Sequence, residues 1–310
     1  MLLEPFVERV HRFYGKGCED AGIEPATLPI ELEELSFKRS AFESEFAATP
    51  EPRQVRITWN GIASLWAFGY GAARVACAMF EAQRAANPED PPPELPVGGE
   101  LLTGTRFLEL SVRLTKHRFD HWVDWVPGPD ALDETGPGAE GSQLFLGALG
   151  WIRRHEFAHH ILNHHELRSG MPADSKAQEL EADDRATIWM KSGHTAELER
   201  QFRVRPSPSE MKGLERRALV ILVGVIRLAQ FEVGPHGRST THPEAVTRLN
   251  AMVQRLALAQ DSFATETLSY LVKVLIDPGA DWPADSESSH AIDAATDAMI
   301  RLNRRRINAG

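Results

Sequence analysis

Two histidines four residues apart, His155 and His159, with Glu156 directly after the first, are the residues of this 310-residue chain best placed to do chemistry. On a helix, positions i and i+4 share a face, so both imidazoles can reach a single metal ion. Glu156 projects about a hundred degrees round the same helix, near enough to touch a water on that ion without ligating it. Two neutral imidazoles on Zn²⁺, with a carboxylate to take a proton from water, suit metal-assisted peptide hydrolysis.

The surroundings support a buried helix over about 142–168. Leu144, Phe145, Leu146, Ala148, Leu149, Trp151 and Ile152 precede the motif, and Ile161 and Leu162 follow it. Histidines on so apolar a helix are costly unless hydrogen-bonded or ligated. A catalytic site wants one more protein ligand. The next helix, over about 174–192 with Asp174 or Ser175 as N-cap and Gly193 as stop, carries Glu179, Asp183, Ala186 and Met190 on one stripe. Carboxylates sharing a stripe with Ala and Met point inward, where an ionised group needs a cation. Glu179 is therefore the expected third ligand of one Zn²⁺. Asp183, one turn on, can accept the outer N–H of a ligating histidine. Glu181 is expected to pair with Arg185 in solvent, and His160, His164 and His165 to be structural.

His155-Glu156-x-x-His159 followed by Glu179-x-x-x-Asp183 resembles the gluzincin class of zinc metallopeptidases. The wording from Arg154 to Leu162, with Glu179 to Asp184, most resembles the Lit-type phage-exclusion peptidases, and Ile62 to Phe68 also resembles that family. The resemblance implies Glu156 as general base, His155, His159 and Glu179 as ligands, and Asp183 as partner of a ligating histidine. It further implies a cytoplasmic protease that cleaves the translation factor EF-Tu when a phage-derived peptide activates it. Ser239 to Glu244, with Arg248 beyond, is similar to the Thr-His-Pro segment of peptidases of the HtpX and CAAX-processing type. That similarity implies His242 as a donor to substrate or oxyanion and Arg248 as a partner of acidic groups near the site, and both are expected to be catalytic, Arg248 supporting His242. The same residues also read as a capping box, Thr241 with Glu244, ahead of an ordinary core stripe.

Composition narrows the class. A net charge of −10 argues against a nucleic-acid binder, which needs a basic surface. Cys18 and Cys77 offer no disulfide framework, the longest apolar run (218–226) is too short to span a bilayer, and the N-terminus shows no signal-peptide pattern. A cytoplasmic protein without membrane partners is expected.

The expected fold is α+β and mostly α: a zincin-like core with a small antiparallel sheet beside the HExxH helix. We divide the chain into a helical N-terminal segment, 1–53, and a metallopeptidase domain, 54–310, with a C-terminal helical part over 211–306. Val55, Ile57 and Trp59 alternate as a strand, and Asn60 can cap a long helix to about Arg84. Alternation over 106–114 predicts a second strand, with 119–126 as hairpin partner and either as an edge for an extended substrate. Trp122 and Trp125 fit a substrate groove or edge packing. The stretch 127–141, rich in Gly, Pro and acid, reads as a lid or a plain connection. Two other functions share these residues: a non-catalytic zinc-stabilised interaction protein, in which Glu156 has no use, and an HExxH protease cleaving a repressor.

Overall fold

The computed structural model describes residues 30–33, 46–49, 54–85, 98–116, 136–164, 172–201 and 245–257, with isolated positions between and beyond them. The order is β1 (Ile30–Glu33), β2 (Phe46–Thr49), β3 (Gln54–Thr58), α1 (Trp59–Ala85), α2 (Gly99–Lys116), α3 (Gly136–Ile161), α4 (Pro172–Gln201) and α5 (Ala245–Leu256). The fold is α+β and mostly α.

The alternation at Val55 and Ile57 produces a strand whose two apolar residues are fully buried. β3 is the centre of a three-stranded sheet ordered β1-β3-β2. β1 runs parallel to it, Ile30 opposite Val55, and β2 antiparallel, Phe46 opposite Ile57 and Ala48 opposite Val55. This corrects two expectations. The sheet is mixed rather than antiparallel, and the segment 1–53, expected to be helical, supplies two of its strands. Strands of four residues are too short to impose a readable period, and charge-rich flanks conceal them.

Thr58 ends the strand and caps α1: its Oγ1 accepts the N–H of Gly61 at 2.9 Å, so the cap lies two residues before the expected Asn60. Residues 61–73 of α1 are all buried. Its stretch Asn60–Met79 has the length and composition to cross a membrane, but 83 % of it is buried inside the protein, as befits a core helix. α2 packs on one side of it and α3 on another. Both crossings are made by glycines. A Cβ on Gly104 would stand 2.9 Å from the Gly71 carbonyl oxygen, and one on Gly141 would stand 2.8 Å from the Cα of Tyr70.

The stretch 106–114, expected to be a strand, is the body of α2. Its leucines fit either period. What decides is that Phe107, Leu110, Ser111 and Leu114 are buried together, a helical i, i+3, i+4, i+7 stripe, while Arg106, Glu109 and Arg113 face out. Phe107 closes an aromatic cluster with Trp66 and Tyr70, with centroids 5.9 and 4.6 Å away. The expected hairpin partner 119–126, with Trp122 and Trp125, lies outside the described residues, as does 127–135 of the expected lid. Residues 136–141 are not a lid but the first turns of α3 against α1.

α3 begins earlier than the expected 142 and ends at Ile161. α4 begins at Pro172, a favoured first-turn residue, ahead of both expected caps, and runs on through Gly193. Trp151 Nε1 donates to Thr187 Oγ1 at 3.0 Å and locks α3 to α4, and Thr187 Oγ1 in turn meets Met252 Sδ of α5 at 3.1 Å. Of the expected C-terminal helical part 211–306, α5 and a few isolated helical positions are described.

Replacing Gly141 with Ala should destabilise the fold by about 1–3 kcal/mol, because backbone rather than a flexible side chain stands in the way. Gly150→Ala, whose Cβ would meet only the end of the Arg154 side chain at 3.4 Å, should leave stability unchanged or raise it. Thermal unfolding of the two variants followed by circular dichroism checks the contrast.

Candidate metal centre

Helical spacing on α3 places His155 and His159 side by side, with ring centroids 4.8 Å apart. Their Nε2 atoms are 3.1 Å from each other. Across the α3–α4 contact, the Glu179 carboxylate lies 3.2 Å from Nε2 of His155 and 3.5 Å from Nε2 of His159. All three side chains are buried, and together they could hold a metal ion. Bonds of about 2.0–2.1 Å at a tetrahedral angle separate neighbouring donor atoms by about 3.3 Å. The three observed separations bracket that value, so the donor set fits a small metal ion.

Behind the donors, Asp183 Oδ1 is 2.9 Å from Nδ1 of His155. Arg248 of α5 donates from Nε to Asp183 Oδ2 at 2.8 Å and from Nη2 to Oδ1. Both are wholly buried. The structure thus brings Arg248 to the site as the buried partner of an acid. His242 lies outside the described residues.

The charges explain one another. Burial pushes the His155 pKa down, but the hydrogen bonds and charges of Asp183 and Glu179 outweigh it and raise it to about 10. Burial would raise Glu179, yet its bonds and charge interactions with His155 and His159 hold it well below the usual carboxylate range. Asp183 is likewise lowered: against the cost of burial stand the Arg248 charge and the hydrogen bond with His155. In the metal-free protein a proton on His155 supplies the positive charge that these carboxylates demand.

Glu156 faces the sheet. Its Oε2 accepts the backbone N–H of Ala48 at 2.7 Å, which brings β2, an outer strand of the sheet among the described residues, to within one hydrogen bond of the expected general base. Sequence reasoning placed the neighbouring edge at 106–114 or 119–126. Phe46–Thr49 was missed, because nothing in four residues of Phe-Ala-Ala-Thr announces a long-range partner. His160, as expected, serves structure: its Nε2 donates to the Gln54 carbonyl at 3.0 Å and ties α3 to β3.

His164, also expected to be merely structural, comes back to the site. α3 ends in a Schellman motif with Asn163 left-handed at φ 54°. The N–H of His164 reaches the His159 carbonyl at 3.0 Å, and that of Asn163 reaches the His160 carbonyl. The turn seats the His164 ring so that its Nδ1 is 2.9 Å from Nδ1 of His159. Glu181, expected to pair with Arg185, lies 3.3 Å from Nε2 of His164, while Arg185 sits over Trp189. Asn163, a favoured left-handed residue at a helix end, was the available signal.

A family model described as Peptidase U49 matches residues 55–268, a span that contains every donor residue above. Cell death peptidase of Escherichia coli (strain K12) is 28 % identical over 158 residues, which is 49 % of this chain and 48 % of that protein. The chain thus spans about half the length of the curated relative it matches. No solved structure matches.

The raised His155 pKa makes the stability of the metal-free protein depend on pH. A folded value of about 10 against an ordinary 6.5 means the contribution is complete below about pH 6.5 and is lost as pH rises through about 10. Urea unfolding of chelator-stripped protein across this window should show falling stability, and Asp183→Asn should flatten that fall.

Proposed function

The chain belongs to the Peptidase U49 family, and from that premise we propose that this peptidase is a zinc-dependent endopeptidase acting on a cytoplasmic protein. The observation that carries the reading is the convergence of two imidazole Nε2 atoms and one carboxylate with Glu156 on the same helix. His155, His159 and Glu179 would hold the ion. When bound, zinc supplies Lewis acidity to the attacking water and the scissile carbonyl.

Glu156 takes a proton from the attacking water as its oxygen bonds to the carbonyl carbon, then passes that proton to the amine nitrogen as the C–N bond breaks. Asp183 accepts the Nδ1–H of His155, which leaves Nε2 with a lone pair for the metal. Arg248 holds Asp183 ionised. His242 is assigned the oxyanion by sequence similarity alone. An extended substrate lies along the outer edge of β2, beside Glu156, and adds to the sheet there as a further strand.

The finer reading is a triggered anti-phage protease, cleaving a translation factor such as EF-Tu once a phage-derived peptide activates it, without nucleic-acid or membrane partners. It rests on the wording around His155 and Glu179, and the printed name of the E. coli relative, which joins a peptidase to cell death, agrees with it.

Glu156→Gln should retain zinc and lose at least about 100-fold in proteolysis, whereas His159→Ala should lose zinc. Metal content by mass spectrometry checks the second. Comparison of new protein N-termini in bacteria expressing wild type or Glu156→Gln, with and without phage infection, checks the first and names the substrate. A wild-type protein that never binds zinc would sink the reading.

A further inference from the structure

We propose that His164 is a positioning residue: it fixes the tautomer and orientation of His159, and thereby the affinity of the site for its metal. The inference rests on the zinc reading above, and adds a residue that the His-Glu-x-x-His pattern does not include.

The backbone sets this contact. The Schellman turn at Asn163 reverses the chain directly after α3, so a residue five positions beyond His159 stands against it. The two rings meet edge to face, with centroids 5.0 Å apart and planes at 72°, and His164 is buried. Their Nδ1 atoms, at 2.9 Å, are at hydrogen-bond distance, and two nitrogens so close must share one hydrogen.

Glu181 decides which ring supplies it. An ionised carboxylate only accepts, so at 3.3 Å it calls for the hydrogen of His164 to sit on Nε2. A neutral imidazole has a single N–H, which leaves Nδ1 of His164 as an acceptor. His159 must then donate from its own Nδ1, and its Nε2 carries the lone pair that faces His155 and Glu179. Each histidine of the donor set thus has an orienting chain behind it: Arg248 and Asp183 behind His155, Glu181 and His164 behind His159. The two chains differ in exposure. The Asp183 side chain is wholly buried, while that of Glu181 is 58 % exposed, where solvent competes for its hydrogen bond. The second chain is therefore the weaker.

The test measures zinc affinity of the full-length protein by competition with a chromophoric chelator, alongside thermal unfolding of the metal-free form. His164→Ala should weaken zinc binding by about 10–100-fold. His164→Asn, whose side-chain oxygen can accept where Nδ1 did, should recover part of the loss. Glu181→Gln should weaken binding less, and should add nothing in the His164→Ala background. Affinity within twofold of wild type in His164→Ala, with only the unfolding temperature lowered, would mean that the ring merely packs and would overturn the proposal. Should His164→Ala fail to fold, unchanged zinc affinity in His164→Leu, which fills the space but cannot accept a hydrogen bond, overturns it equally. A wild type that binds no zinc removes the proposed function as well. A wild type with one zinc and indifferent variants removes this inference alone.

Discussion

The ion pair of Arg248 with Asp183 is the contact on which the site depends, because it lets a carboxylate remain ionised with no exposure to water. Taking such a charge out of water costs several kcal/mol unless a partner and hydrogen bonds offset it, and breaking one half of a buried pair costs about 3–5 kcal/mol. The pair joins residues 65 positions apart, so it also fastens α5 to α4 at the level of the candidate metal centre. Through it Asp183 can face His155 and set which nitrogen of that ring is available. Within the cluster of described side chains, the two carboxylates of Glu179 and Asp183 face the one guanidinium of Arg248, which leaves room for a further positive charge. That imbalance makes the site receptive to a proton or a cation.

The rest of the architecture brings α3 to this place at the right height. α1 is buried almost all round because helices cross it on two sides, and glycines let backbones approach where side chains would hold them apart. α3, so anchored, carries its histidines toward α4 on one face and presents Glu156 to β2 on another. His160, between them, binds the sheet through the Gln54 carbonyl. One helix thus joins the candidate metal centre to the sheet.

At several places in this chain the local pattern admits two answers. Leu108, Leu110 and Leu114 alternate well enough for a strand, yet their burial with Phe107 and Ser111 is helical. β1 and β2 are too short to show a period of their own, and exist because β3 lies between them. Glu181 has Arg185 at helical spacing, but meets His164, delivered by a turn seventeen residues earlier.

By itself the sequence determined which side chains gather at the candidate site. His155, Glu156 and His159 follow from helical spacing, and Glu179 and Asp183 follow from sharing a buried stripe with Ala186, because periodicity is a local property that burial merely reveals. Only the tertiary structure decided what stands behind and beside those side chains: Arg248 on Asp183, Ala48 on Glu156, His164 on His159. The first two contacts join residues 65 and 108 positions apart, and the third depends on one left-handed residue. Such contacts arise where buried polar groups must find partners, and the choice of partner depends on how the helices pack, which no run of neighbouring residues encodes.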